Sequence, residues 1–419
     1  IRLDGSGFFE DPVWSPDGEW IAFSDNSWSL YLLNLESEEI RQIASEPLYG
    51  PAKTLHPSWS PDSRWIAYTL NNPVYFQQVH LYSVEEDEDH VITEGLSDVG
   101  EPVFDAGGKY LFFSASTDAG PLRTWFALSG QDMEMSNSLY LAVLTTDTPS
   151  PLAKESDEEV EEETPGKETP GEEAPDEAES APSGSDEDGV RVEVDFDGLH
   201  ERILSLPVGQ GYFYGLEPGA PGELYYLKTG GGADAGVVFG AVSGDLSRFS
   251  LESREEETLL ENVQTFSLSA DNKKVLALSG GSWILADAGP GIEAGNGRLA
   301  TGDIQVRIDP RAEWEQIFHE AWRINRDYFY DPGMHGSDWP AMREKYAQFL
   351  PHLSSRQDLN RVIQWMCSEL GVGHHRVGGG DFLYDPESVD GGLLGADYEM
   401  DEGRYRFAKV FGGLNWNPE

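Results

Sequence analysis

Up to about residue 300 the apolar residues fall in short runs separated by polar turns, the pattern of strands rather than of long helices. The run EDPVWSPDGEWIAFSD (residues 10–25) returns as LHPSWSPDSRWIAYTL (55–70) and more loosely as GEPVFDAGGKYLFFSA (100–115), with Trp14, Trp59 and Phe104 spaced 45 residues apart. In each copy a Pro-Asp-Gly or similar turn precedes a compact apolar strand: Ile21-Ala22-Phe23, Ile66-Ala67-Tyr68 and Leu111-Phe112-Phe113. That period matches one four-stranded propeller blade, a unit that must stack on its neighbours to cover its apolar faces. Strand-like units at 200–228 and 265–286 extend the series, and LSADNKKVLAL (268–278) is a degenerate copy of the same turn and strand. The pattern predicts about five blades or partial blades before Gly302, hence a partial β-propeller over residues 1–301. The tryptophans and tyrosines of the blades occupy repeated positions and are predicted to be core residues rather than a peptide-binding surface.

From Asp309 onward the periodicity becomes helical. Asp309-Pro310 offers an N-cap followed by proline in the first turn, and Trp314, Ile317, Phe318, Ala321, Trp322, Tyr328 and Phe329 form a wide apolar stripe. Two more helices are predicted over 340–350 and 357–370. The second starts from a capping box behind Ser355, carries Leu359, Val362, Ile363, Met366 and Leu370 at helical spacing, and stops at Gly371. Residues 391–410 read as short strands, with Asp401-Glu402-Gly403 turning a hairpin. The fold class expected is therefore mainly β: a partial propeller followed by a small α+β helical core domain over residues 302–419.

Composition adjusts this picture in three places. The 419 residues, 39% of them hydrophobic, suffice for two or three domains with sizeable cores. The formal charge is −48, and residues 154–190 hold sixteen acids against two lysines, so the acidity is concentrated there but extends over the whole chain. Such a surface repels phosphate backbones and argues against nucleic acid as a partner. Residues 149–189, rich in Glu, Pro, Ser and Gly and nearly without apolar side chains, are predicted to be a disordered insertion within the propeller; an acidic interaction segment is the alternative. The lone Cys367 has no intramolecular disulfide partner and sits among apolar helix positions. It points to a reducing, cytoplasmic compartment, with an exported form left open because the chain starts at Ile1 inside a repeat. No apolar run of about 18 residues is present, so no membrane span is expected.

The candidate chemistry lies in ELGVGHHRVGGGD (369–381), where two adjacent histidines occupy a glycine-rich loop directly behind a helix. Negative dipole charge at the helix end favours an imidazolium, which helps an imidazole that must take a proton from a nucleophile; an ordinary loop histidine is the alternative. Zinc is disfavoured because adjacent histidines point in different directions, and His319-Glu320, within HEAWR, lacks the second histidine of a zincin helix. Gly378-Gly379-Gly380 has neither the lysine-serine pair nor the context of a phosphate loop, and is either a close backbone passage along a cleft or a plain turn. The chain holds no GxSxG elbow.

The pieces NRDYFYDPGMHGSDW, SELGVGHHRVGGGD, GGLLGADYE and GRYRF…NWNPE, within about residues 309–419, resemble the helical core domain of the tricorn protease family. The resemblance implies a serine-type peptidase that hydrolyses oligopeptides, assembles as a homo-oligomer and needs no cofactor or metal. It implies that the propeller is the end of the family's second ring and guides or filters peptides, and that His374 is the catalytic histidine. The family's loop usually reads Ser-His, whereas Gly373 stands at the serine's place here and removes one hydroxyl from the family's catalytic set. The nucleophilic serine and its glutamate partner belong, in the family, to a second catalytic domain beyond a PDZ-like domain. Neither lies in these residues, so the expectation is a fragment that is inactive alone. A non-catalytic peptide- or protein-binding propeller with a degenerate peptidase domain is the alternative that Gly373 keeps open.

Overall fold

In the computed structural model, which describes residues 9–48, 55–117, 136–153, 189–229, 243–292, 296–380 and 395–412, the chain divides into two units, Ile1–Val306 and Arg307–Glu419. The short apolar runs of the first unit become four antiparallel sheets, each meandering in chain order. The first blade contains β1 (Phe9–Trp14), β2 (Trp20–Asp25), β3 (Ser29–Asn34) and β4 (Ile40–Ser45). The second contains β5 (Ser58–Trp59), β6 (Trp65–Asn71), β7 (Gln77–Ser83) and β8 (Glu88–Val91). The third contains β9 (Val99–Phe104), β10 (Tyr110–Ala115), β11 (Ser138–Val143) and β12 (Ile203–Ser205). The fourth sheet has six strands: β13 (Tyr212–Pro218), β14 (Glu223–Thr229), β15 (Gly244–Ser250), β16 (Glu255–Leu268), β17 (Lys274–Ser279) and β18 (Ser282–Asp287).

That six-stranded sheet holds two repeat units joined through one long strand. The first part of β16 pairs with β15 up to Val263, and from Val263 onward it pairs with β17, with Asn262 in the left-handed region (φ 55°) at the changeover. The expected unit at 200–228 is corrected by this arrangement. Its first residues, in β12, close the third blade, and its later residues open the fourth sheet. Strand spacing alone does not say which sheet a strand joins, and here the strand that completes the third blade arrives only after the acidic segment. Most of that segment, 154–188, lies outside the described residues.

The repeated turn has a common geometry. Its left-handed position is filled by Gly18, Ser63, Gly108, Gly222 and Asn272, with φ between 56° and 81°. Glycine tolerates that region without penalty; Ser63 and Asn272 do not, and each makes a contact with the turn of the preceding repeat unit. Ser63 Oγ accepts from Asp17 N (3.1 Å), and Asn272 Nδ2 donates to Gly219 O (2.7 Å). Asp105 Oδ1 accepts from Gly222 N (2.6 Å) in the same way. Apolar layers fill the spaces between blades. Trp59 and Tyr68 lie with Ala22, Leu30 and Leu32, while Phe104 and Phe113 lie with Val79 and Leu81. Trp14 departs from the expected core role: it is 60% exposed, because among the described residues no blade packs outside the first.

In the second unit, α1 (Pro310–Tyr328) starts from Asp309, whose side chain accepts from Arg311 N. Phe318 and Trp322 of its stripe are buried, but Tyr328, expected on that stripe, is 47% exposed in the last turn. α2 (Trp339–Ala347) ends before the expected 350 and gives way to a 3-10 turn at Leu350–His352, where Pro351 has no N–H with which to continue the α-helical hydrogen bonding. α3 (Arg356–Ser368) has the predicted capping box between Ser355 and Asp358. α1 and α2 are locked by a reciprocal pair: Trp322 Nε1 donates to Trp339 O (2.9 Å) and Trp339 Nε1 to Trp322 O (3.0 Å). β19 (Ala396–Asp401) and β20 (Arg404–Val410) form the hairpin, with Glu402 and Gly403 both left-handed as a tight two-residue turn requires; residues 391–394 lie outside the described residues.

Candidate functional site

The loop that carries His374 starts where α3 runs out of helix-forming sequence. Leu370 is fully buried, and Gly371 takes the left-handed conformation (φ 62°) that ends a helix without a steric penalty. Val372 and Val377 then turn back into the core formed by α1, α2 and α3, so the residues between them bulge outward as a short turn with both feet anchored. His374 lies at that turn, exposed and itself left-handed (φ 64°). His375 is half-buried, and its Nδ1 is closed off with no hydrogen-bond partner among the described residues. The two adjacent histidines therefore occupy different environments.

The rest of the loop is held from α3. Asn360 Nδ2 donates to Gly379 O (2.9 Å), and a Cβ on Gly380 would meet the Arg356 side chain at 2.6 Å. At Gly380 the backbone thus lies close against the Arg356 side chain in a left-handed conformation (φ 98°) that strains any other residue, whereas a Cβ on Gly378 or Gly379 would meet nothing within 4 Å. Asp381 lies outside the described residues. At the end of α3, Glu369 is held below the usual carboxylate range by Lys345 (2.5 Å) and by the Tyr346 hydroxyl (2.6 Å). Cys367 is buried as expected, and desolvation pushes its thiol up to about 11, so it carries little thiolate for nucleophilic work.

A contact missing from the sequence reading approaches from the segment after α1. His335 Nδ1 donates to Leu370 O (2.9 Å), four residues before His374. The only local hint was Asp331-Pro332-Gly333, a turn signal whose Asp331 accepts from Gly333 N (3.0 Å) and His335 N (2.8 Å). These backbone bonds hold the Asp331 carboxyl below its ordinary range.

Among the described residues none of the three histidines considered for zinc, His319, His374 and His375, gathers a ligand group. Glu320 beside His319 is committed to Arg323, and among the described residues the group whose ligand atoms come together is Glu86, Glu88 and His90 in the second blade, with both glutamates exposed. That arrangement is common on acidic surfaces without a metal.

A family model described as the tricorn protease second beta propeller domain matches residues 3–289, and one described as the tricorn protease C1 domain matches residues 310–368. The chain belongs to the tricorn protease family. The propeller resemblance and the helical unit are accounted for together, while His374 falls just beyond the second matched stretch. A putative tricorn-like protease C-terminal subunit of Sulfurisphaera tokodaii is 28% identical over 414 residues, covering 95% of this chain and 43% of that protein. Putative tricorn protease homolog 2 of Streptomyces coelicolor is 28% identical over 336 residues, covering 77% of this chain and 27% of its own length. The crystal structure of the tricorn protease aligns with a TM-score of 0.67 at 20% identity, covering 98% of this chain and 37% of that one, and speaks to the fold. This tricorn-family chain spans less than half the length of these relatives. Among the described residues no helix is long and apolar enough to cross a membrane.

Proposed function

We propose that this chain is part of a serine-type peptidase acting on oligopeptides, in which His374 is the general base for a serine supplied from outside these residues. The observation that carries the reading is the contrast between the two histidines: His374 is exposed on a turn anchored at both feet, while His375 is half-buried with Nδ1 occluded. A base must come within about 2.6–3.2 Å of the hydroxyl it deprotonates, and an exposed ring on a fixed turn can be approached by a serine from another domain. In the proposed reaction the serine oxygen attacks the peptide carbonyl and its proton passes to His374. The imidazolium then protonates the departing amine, and water hydrolyses the acyl-enzyme. The protease names of the relatives agree with this class of reaction.

Gly373 favours a second reading, a binding propeller with a degenerate peptidase domain, because the position lacks the hydroxyl usual in the family. A serine-directed fluorophosphonate separates the two. The 419-residue chain alone is expected to remain unlabelled, and the longer protein to be labelled at one serine outside it. Stoichiometric labelling within the chain would overturn the assignment of the nucleophile to another domain, and an unlabelled longer protein would favour the binding module.

A further inference from the structure

The turn that bears His374 is fixed at its two feet by Val372 and Val377 and beyond them by Asn360, which leaves the junction with α3 as the point where its direction is set. At that junction Leu370 O lies past the last helical hydrogen bond and accepts from the imidazole of His335. A carbonyl oxygen can only accept, so the proton is on Nδ1. Nε2 is then the acceptor for the Tyr330 hydroxyl, which lies at hydrogen-bond distance and selects that tautomer. The His335 ring also meets Phe329 edge-on (centroids 5.0 Å, 76°), and Phe329 packs against the core of the unit.

The backbone beneath this imidazole is unusual. Met334 (φ 50°), His335 (φ 51°) and Gly336 (φ 82°) are consecutive left-handed residues, and only the last is a glycine. The two amide bonds to Asp331 and the burial of Met334 hold the segment there. Non-glycine residues in this region persist only where their surroundings over-determine them, and such sites cluster near functional groups. Here the outcome of the strained conformation is one directed hydrogen bond to the residue before the site loop.

We infer that His335 is a positioning residue for the loop that presents His374, acting through Leu370 O with Tyr330 fixing its tautomer. The inference rests on His374 being the base only for its catalytic consequence; the mechanical part stands on the contacts alone. Asparagine places an amide donor near the position of Nδ1 and tolerates a left-handed backbone, so it should substitute for the imidazole where alanine cannot.

The test has two arms. In the 419-residue chain, backbone order parameters of residues 371–375 are measured by NMR for the native protein, His335→Ala, His335→Asn and Tyr330→Phe. The expected result is a fall in His335→Ala from the rigid range near about 0.85 towards the flexible range below about 0.6, with α1 and α2 unchanged. His335→Asn should remain near native, and Tyr330→Phe should fall between. An unchanged loop in His335→Ala, or loosening that spreads over the whole helical unit, would overturn the proposal. In the longer protein, His335→Ala is expected to lower kcat by roughly 10- to 100-fold with KM held, and His335→Asn to restore it. A loosened loop with native kcat would refute the positioning role, whereas activity surviving in His374→Ala would refute the general-base reading and leave the loop measurement to stand by itself.

Discussion

The carboxylate of Glu217 lies in β13 and accepts from Leu268 N (2.8 Å) at the end of β16; desolvation outweighs that bond and raises the group from its ordinary 4.5 to about 7. Between those values the folded protein keeps a proton that the unfolded chain has released, so stability falls as pH rises through that window. Glu217→Gln, which keeps an acceptor for Leu268 N, is expected to remove this loss. Relative to the native chain it should gain on the order of 2–3 kcal/mol between pH 4.5 and pH 8, read as the difference between two denaturation series. Parallel pH profiles would contradict the assignment. Nothing around Glu217 in the sequence marked it, because its environment is made by a strand some fifty residues away. Trp14 and Trp59 teach the same lesson: identical repeat positions, one exposed and one buried, differing only in whether a neighbour covers them. The choice of His374 over His375 came from the resemblance; what the sequence did not show is that the two rings differ in burial, which depends on the turn anchored by Val372 and Val377.

The blade turns were readable from sequence because their chemistry is local. A left-handed position selects glycine or asparagine, and the apolar strand after it follows directly. What the pattern could not show is the contact each exception makes. Asn272 bears the cost of left-handed backbone, about 1–2 kcal/mol for an ordinary L-residue, and its Nδ2 donates to Gly219 O. Asn272→Gly should therefore be close to neutral, since relief of backbone strain offsets a hydrogen bond worth about 1 kcal/mol. Asn272→Ala loses the bond and keeps the strain, and is expected to cost about 1–2 kcal/mol. Urea midpoints at unchanged slope would check this, and an alanine variant as stable as asparagine would refute it. Helix starts were equally legible at Asp309 and Ser355, where caps are short-range. The grouping of strands 200–228 failed for the opposite reason: the strand that completes the third blade is separated from its partner β11 by the long acidic stretch.

For the molecule as a whole, the 45-residue period and the change to helical spacing near Asp309 carried the architecture, because both follow from burying one face of a repeated element. Family membership adds a scale that the chain itself does not contain, since it spans 43% of one relative and 27% of another. On the account developed above, the helical unit contributes one catalytic group and receives the rest. The measurement that tests this most directly is peptide turnover by the longer protein carrying His374→Ala or His375→Ala, with a thermal melt of each. The account expects His374→Ala to lower kcat by about 10³-fold or more with an unchanged melt, and His375→Ala to be far milder. Near-normal turnover by His374→Ala would contradict it.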